Sequence, residues 1–247
     1  IMFNQSILIN EEFYNRLPGA DWTKYSTKNS SGRYYINFQQ ISRNDKQALF
    51  NECIDIDIKS CFSSLFIELY ENQTRKGYEV IMREYTGKQR MEFMDLLRDP
   101  TALMDKIKKS RSLNDKEMYS HKERGQSREI QAKALRSRLF TQSKDKNGYI
   151  KLNKKLGHHW YDELSRFIFD VLVANGIQNS HLFFSNREQL YIQQAIDIIG
   201  RDSILLNMHD GLICLPNSIS PIQKYALEDL SPYISWTYGT YDVNKRL

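Results

Sequence analysis

Two aspartates in this sequence could act together as ligands of a cation. Asp57 ends an apolar segment, and Asp210 lies in the tripeptide His209-Asp210-Gly211, about 150 residues further along the chain. Carboxylates that converge to roughly 4 Å repel by about 4 kcal/mol at an effective dielectric constant near 20, so a divalent cation is required between them. Hard oxygen ligands that leave positions open for water and phosphate suit Mg²⁺. We therefore expect Asp57 and Asp210 to share a metal site.

A site of this kind performs chemistry at phosphorus. Two Mg²⁺ ions about 3.5 to 4 Å apart hold the attacking and leaving oxygens of an in-line displacement, which serves nucleotidyl transfer and hydrolysis equally well. Two structural interpretations of the same residues stay open at this point. Asp-Gly is a common hairpin turn, and an aspartate shortly before a helix is a common helix cap.

The segment around Asp57 predicts a strand followed directly by a helix. Residues 53–58 alternate apolar side chains with Asp55 and Asp57, which is the period of two expected of a strand. The apolar residues that follow have helical spacing, and they are Phe62, Leu65, Phe66 and Leu69. Asp57 is thus expected where a strand ends and a helix begins.

The segment around Asp210 predicts a hairpin. Residues 204–208 and 212–215 are short and apolar, and they are joined across His209-Asp210-Gly211. Asp-Gly between two such segments is a hairpin signal. The second aspartate is therefore also expected at the end of a strand.

Helical patterns fill the region between the two aspartates. Residues 71–146 are highly charged and mostly helical in pattern, with breaks at Asp99-Pro100 and around Gly125. Two amphipathic helices are predicted after them, at Trp160–Ala174 and Ser185–Ile199. The sequence therefore predicts an α+β fold with a long helical insertion.

Positive charge is concentrated in one segment. The chain carries a net charge of +5, but residues 106–138 hold eleven basic and four acidic side chains, so this segment is +7 and the remainder −2. Such asymmetry indicates a polyanionic partner, either nucleic acid or nucleotide phosphates. A solvated basic helical surface is the alternative.

Two segments resemble the catalytic motifs of the family A (DNA polymerase I-like) polymerases. Residues 203–216, Ser-Ile-Leu-Leu-Asn-Met-His-Asp-Gly-Leu-Ile-Cys-Leu-Pro, resemble motif C, in which an apolar strand, His-Asp and a second apolar strand form the palm hairpin. Residues 54–65 resemble motif A, whose first aspartate, here Asp57, starts the turn from strand to helix. Upstream, Gly32-Arg33 and Gln39-Gln40-Ile41 resemble the Gly-Arg and Gln-rich stretch that leads into motif A.

This resemblance implies roles for individual residues. In the family the two motif aspartates, here Asp57 and Asp210, are catalytic and hold two Mg²⁺ ions, for which Mn²⁺ can substitute. A main-chain carbonyl just after the first aspartate, here that of Ile58, completes the metal site. The positions similar to family groups at the primer–template are Arg33, Gln40 and His209.

Motif B is matched more loosely, by residues 127–140. The family places Arg and Lys four apart on a fingers helix followed by Tyr-Gly, whereas Arg128 and Lys133 are five apart and no Tyr-Gly follows. Lys133, Arg136 and Phe140 share a helical face, which predicts contacts with phosphate and stacking on a base. We expect these three residues and Arg128 to bind the nucleotide, and a basic solvated helix is the alternative.

A second departure from the family lies just after Asp210. The family usually has Glu there, and this chain has Gly211. The two-metal core is retained, and an auxiliary carboxylate is lost.

We therefore expect an α+β fold with a polymerase-type palm, an antiparallel sheet and a helical fingers-like insertion. Residues 1–50 lead into the palm, 51–69 and 181–247 form it, and 70–180 form the insertion. The expected activity is metal-dependent extension of a nucleic-acid 3′ end with nucleoside triphosphates, as in a DNA-directed DNA polymerase. The expected partners are a DNA or RNA primer–template, nucleoside triphosphates and other replication subunits.

Two other functions stay open. A nucleic-acid-binding replication accessory with a degenerate palm is favoured by Gly211 and the irregular motif B. A metal-dependent nuclease is the other, because paired aspartates also serve hydrolysis.

Composition indicates the compartment. Apolar runs fall short of the roughly 18 residues that a membrane span needs, and residues 1–5 lack the basic start of a signal peptide. We expect a soluble cytoplasmic protein that does not associate with a membrane. Its cysteines are odd in number and lie among apolar residues, so buried free thiols are expected at Cys53, Cys61 and Cys214.

Overall fold

A computed structural model describes residues 25–26, 35–36, 50, 52–110, 127–207 and 211–240. Over these residues the fold is α+β, as predicted. The chain divides into two compact units. The first unit is Ile1–Cys61 with Ser185–Leu247, and the second is Phe62–Phe184.

The described strands lie mainly toward the two ends of the chain, and the region between them is mainly helical. The strands are β1 (Tyr25–Ser26), β2 (Tyr35–Ile36), β3 (Ile54–Ile58), β4 (Ser143–Lys144), β5 (Ile150–Lys151), β6 (Ile204–Asn207), β7 (Gly211–Cys214) and β8 (Trp236–Thr240). The helices are α1 (Cys61–Glu71), α2 (Arg75–Glu84), α3 (Gly87–Arg98), α4 (Pro100–Lys109), α5 (Arg128–Phe140), α6 (His159–Ala174), α7 (Ser180–Ile199) and α8 (Pro221–Glu228).

The first unit is built on a four-stranded antiparallel sheet with the strand order β6-β7-β3-β8. A separate antiparallel pair joins β1 to β2. In β3 the isoleucines and the aspartates face opposite sides, because successive side chains of a strand alternate. Ile56 and Ile58 are buried, whereas Asp55 and Asp57 are partly accessible. The predicted strands around both aspartates are thus present, and β6 pairs with β7 as a hairpin requires.

Helix α8 is joined to its neighbours in the first unit by hydrogen bonds. It begins in a capping box, in which Ser220 and Gln223 satisfy each other's backbone N–H groups. The Gln223 amide also donates to the carbonyls of Ile198 and Ile199 at the end of α7. The indole N–H of Trp236 donates to Leu227 at 2.9 Å, which joins β8 to α8.

The second unit is helical and has an aromatic core. Phe167 of α6 lies at its centre, with ring centroids 5.1 Å from Tyr85 and Phe93 and 6.2 Å from Phe66. The Tyr85 hydroxyl donates to Asp170 at 2.6 Å, and burial together with this bond raises its pKa. The first and last residues of the unit, Phe62 and Phe184, stack with ring centroids 5.2 Å apart.

The helical breaks agree with the sequence where they are described. Asp99 follows α3, and its Oδ1 caps α4 by accepting from Thr101 and Ala102 at 3.0 and 2.9 Å. The break predicted around Gly125 lies outside the described residues. The insertion predicted at residues 70–180 falls inside the second unit.

The three cysteines are free thiols. Cys53 and Cys214 are buried as expected. Cys61 is only partly buried, because it opens α1 next to the exposed turn that follows β3. Among the described residues, no helix is long and apolar enough to span a membrane.

Candidate functional site

Asp57 lies at the end of β3, between two other strands of the sheet. Its Cα partner is Gly211 on β7 and Thr237 on β8. The Thr237 hydroxyl donates to the Asp57 main-chain carbonyl at 3.1 Å. Asp57 belongs to the strand and precedes the first residue of α1, Cys61, by four positions.

Gly211 belongs to β7 and not to the turn where an Asp-Gly hairpin would place it. A Cβ added at Gly211 would lie 2.5 Å from the main-chain oxygen of Ile56 and 3.6 Å from the Cα of Asp57. Such a contact is far inside van der Waals separation, so any side chain here must displace β3 or β7. This close approach gives a steric reason for glycine at the position where the resembled family usually has Glu.

The main-chain carbonyl of Ile58 is directed away from β8. The N–H of Lys59 donates to Ser235 at 2.8 Å, which fixes the hydrogen-bonding direction at the end of β3. Successive residues of an antiparallel strand direct their backbone groups to opposite neighbours. The Ile58 carbonyl therefore faces the β7 side, where the ladder with β3 ends at the pair of Asp57 and Gly211.

On the edge strand β8, the residues opposite the two β3 aspartates have small side chains or none. Gly239 of β8 is the Cα partner of Asp55, as Thr237 is of Asp57, and both are exposed. On the other side Ile213 is the partner of Asp55 and is buried. The aspartate face is therefore closed toward β7 and open toward β8.

The donors at the end of β3 fit a hard cation such as Mg²⁺. The carboxylate of Asp57 and the carbonyl of Ile58 supply oxygen, and Gly211 adds no side chain that could fill the space beside them. Within the described ranges, no three His, Cys, Asp or Glu side chains gather in a way that could hold a metal ion. Four sequence-predicted site residues lie outside those ranges, and they are Arg33, Gln40, His209 and Asp210.

Helix α5 in the second unit carries the predicted nucleotide-binding residues. Lys133 is exposed and Arg136 is half-buried. Burial lowers the pKa of the Arg136 guanidinium from its ordinary value, and Glu129 opposes that effect. Glu129 is itself paired with Lys108 of α4, which holds the pKa of its carboxyl below the usual value. Arg128 begins the helix, and its side chain is outside the described atoms.

The assignment of Phe140 to base stacking requires correction. Its side chain is 1% exposed, with ring centroids 6.1 Å from Phe66 and 5.9 Å from Phe184. Leu135 and Leu139 are buried on the same side of α5, so Phe140 continues the apolar stripe of the helix. A base can stack only on an accessible ring, and Phe140 is therefore a core residue.

A second group of cations was missed in the sequence because it lies just beyond the basic segment. Residues 144–155 hold five lysines and one aspartate. They form and follow the hairpin of β4 and β5. A count of charge along the whole chain in short windows would have found them.

Comparison of the chain with protein-family models, with curated proteins and with solved structures gave no match. Functional assignment therefore depends on the residues and their geometry.

Proposed function

We propose that this protein is a metal-dependent nucleotidyltransferase that extends a nucleic-acid 3′ end with nucleoside triphosphates. The observation that carries the proposal is the register of β3 against β7. Gly211 is the strand partner of Asp57, and Gly211 is joined to Asp210 by a peptide bond. Asp57 and the residue that follows Asp210 in the sequence are thus strand partners, although they are about 150 residues apart along the chain.

The resemblance to the family A palm agrees with this arrangement. Both motifs contribute a strand to one antiparallel sheet, and β3 of motif A lies directly beside β7 of motif C. The close approach at Gly211 adds a reason for the absence of the family glutamate.

Asp57, Asp210 and the Ile58 carbonyl are the groups that would hold Mg²⁺. When bound, the ions would lower the pKa of the primer hydroxyl and neutralise charge on the leaving oxygens. In the reaction the 3′-oxygen forms a bond to the α-phosphorus, the bond to the bridging oxygen breaks, and pyrophosphate and the hydroxyl proton are released. The sheet holds the backbone of Asp57 in place through pairing on both sides of β3.

The test is incorporation of nucleotides into a labelled primer–template in the presence of Mg²⁺. We expect Asp57→Asn to lower the rate of incorporation about a thousandfold. Loss of a metal ligand removes several kcal/mol of transition-state stabilisation, and each 1.4 kcal/mol lowers the rate about tenfold. The matched control is Asp55→Asn, because Asp55 lies on the same strand and the same face. It should retain incorporation.

Other outcomes contradict the proposal. A primer that shortens indicates a nuclease, and a primer that is bound but unchanged indicates a binding protein without turnover. Full incorporation by the Asp57→Asn protein would mean that Asp57 does not belong to a catalytic metal site.

A further inference from the structure

The β4–β5 hairpin of the second unit presents a positive surface outside the predicted nucleotide-binding residues. Ser143 is paired with Lys151 and Lys144 with Ile150, so the hairpin is antiparallel with a five-residue connection, 145–149. We define the lysine hairpin as residues 143–155. Its exposed cations are Lys144, Lys146, Lys151, Lys154 and Lys155.

The one acidic residue of the lysine hairpin is used to build the turn. Asp145 Oδ1 accepts from the N–H groups of Asn147 and Tyr149 at 2.8 and 2.9 Å. The N–H of Gly148, which has a φ of +82°, donates to the Asp145 carbonyl at 3.1 Å. Within the part of the chain that the structure describes, none of the five lysines forms an ion pair. The positive charge of the lysine hairpin is therefore available to a ligand.

An exposed aromatic residue lies between these cations in the sequence. Tyr149 is 51% exposed. Its backbone is fixed by Asp145, because its N–H donates to the Asp145 carboxylate and its carbonyl accepts from the Asp145 N–H. Exposed aromatic rings between lysines are the pairing that single-stranded nucleic-acid sites use, because a base stacks on the ring while cations follow the phosphates.

The base of the lysine hairpin is held rigidly by a buried amide. Gln142 is 5% exposed and donates to the Leu139 carbonyl at 2.7 Å. Its Oε1 accepts from the Asn153 N–H at 3.0 Å, and its own N–H donates to the Ser180 hydroxyl at 3.1 Å. Ile150 adds a bond from its N–H to the carbonyl of Gln178 at 2.6 Å. The cations are thus presented on a fixed scaffold, which lowers the entropic cost of binding.

Positive charge continues from the lysine hairpin onto α5. The Arg138 guanidinium donates to the Lys154 carbonyl at 3.2 Å, and the Asn153 amide donates to the Arg138 carbonyl at 2.8 Å. Arg138 and the lysine hairpin are therefore joined directly within the second unit.

We propose that the lysine hairpin is a binding site for single-stranded nucleic acid, with its lysines at the phosphates and Tyr149 stacked on an unpaired base. Single strands fit better than duplex, because a ring on a hairpin tip can stack only on a base whose face is open. This site goes beyond nucleotidyl transfer, since it requires neither Asp57 nor a metal ion.

The test is the affinity of the full chain for fluorescein-labelled oligo(dT), measured by anisotropy in EDTA across a salt series. EDTA removes any metal-dependent reaction, so failure of the transferase proposal leaves this result unchanged. The variant K144A/K146A/K151A removes three cations. At about 0.7 counterions per phosphate of a single strand, the slope of log affinity against log salt should fall by about 2 and the affinity at about 0.1 M salt by about 100-fold.

The matched control is R75A/K76A/K88A, which removes three cations from exposed positions on α2 and α3 of the same unit. It should bind like the unaltered protein, and K144R/K146R/K151R should also retain affinity. Equal weakening by the alanine variant and its control would overturn the site, since only net charge would then matter. Absence of oligonucleotide binding by the unaltered chain, or tighter binding to polyglutamate, would overturn it as well.

Tyr149 separates single-strand binding from general attraction to phosphate. We expect Tyr149→Ala to weaken oligo(dT) binding about 5- to 150-fold, the range for loss of one stacked base, and Tyr149→Phe to keep it. If Tyr149→Ala has no effect, or if duplex DNA binds as tightly as oligo(dT), the assignment to single strands is wrong.

Discussion

Gly211 shows how one residue without a side chain can determine the geometry of the candidate site. Its Cα lies opposite that of Asp57, and the backbone of β3 occupies the space that a Cβ would need. The requirement comes from this close approach and not from an unusual backbone angle. A carboxylate at this position could not be accommodated without moving the strand that carries Asp57.

The corresponding prediction compares two glycines of one sheet. Gly211→Ala should destabilise the protein by about 1 to 3 kcal/mol, because overpacking forces the strands apart. It should also reduce nucleotide incorporation. Gly239→Ala should change stability by less than about 1 kcal/mol, since its Cβ would meet Asp55 at an ordinary 3.7 Å. Urea unfolding of both variants checks the comparison, and equal losses would contradict the steric argument.

At the residue scale the sequence predicted the position of a side chain along its strand or helix better than its burial. Asp57 was expected at a strand end and lies there, because alternation of isoleucine and aspartate is a strong strand signal. Phe140 was misassigned, because the spacing that relates it to Lys133 and Arg136 also continues the apolar stripe formed with Leu139. Burial decides between such interpretations, and periodicity alone does not.

At the scale of elements, strongly patterned segments were predictable. The apolar strands β6 and β7 and the amphipathic helix α6 lie within a residue or so of their expected positions. Helix α7 begins at Ser180 and not at Ser185, because Asn179 accepts from the N–H of Leu182 and starts the helix earlier.

Elements with weak patterns were missed for identifiable reasons. Strand β8 reads Trp-Thr-Tyr-Gly-Thr, in which polar residues and a glycine hide its pairing with β3. Strands β4 and β5 are two residues each, too short to show a period. Helix α8 carries the sequence Ser-Pro-Ile-Gln, a capping signal that could have identified it.

Gln142 provides the prediction at this scale, because it joins the lysine hairpin to α5 through Leu139, to α6 through Ser165 and to α7 through Ser180. Gln142→Ala should destabilise the protein by about 1 to 3 kcal/mol, since it leaves polar partners such as the part-buried Asn153 N–H unsatisfied. The control is Gln178→Ala, whose side chain is exposed and whose main-chain contact with Ile150 is retained. Denaturant midpoints measure the difference, and a neutral Gln142→Ala would show that the amide network does not hold the hairpin.

The stability of the whole molecule should depend on alkaline pH through its buried thiols. Burial, with a smaller contribution from Glu52, raises the pKa of Cys53 to about 11. Burial, followed by Cys53 and Asp55, raises that of Cys214 to about 12. In the unfolded chain both thiols ionise near their ordinary pKa of 9.0. Their contribution is therefore complete below pH 9 and is lost as the pH rises through the folded values.

The titration of these thiols should give the unfolding free energy a measurable slope against pH. Between pH 9 and 11 the unfolding free energy of the unaltered protein should fall by about 1.4 kcal/mol per pH unit for each thiol. The double variant C53A/C214A should lack this part of the decrease, whereas Cys61→Ala should retain it. Chemical denaturation at a series of pH values tests the comparison, and parallel curves for all three proteins would show that the thiols do not titrate on unfolding.

The stacking of Phe62 on Phe184 bears on how the gene could be divided. These two side chains are the first and last of the second unit, so the entry and exit of a polypeptide of more than one hundred residues stand side by side. A segment whose ends meet can be replaced by a short bridge. The far end of this segment lies within α7, which runs from Ser180 to Ile199, so a cut directly after Phe184 would divide that helix. A division of the gene should therefore place its second cut before Ser180, so that α7 remains whole.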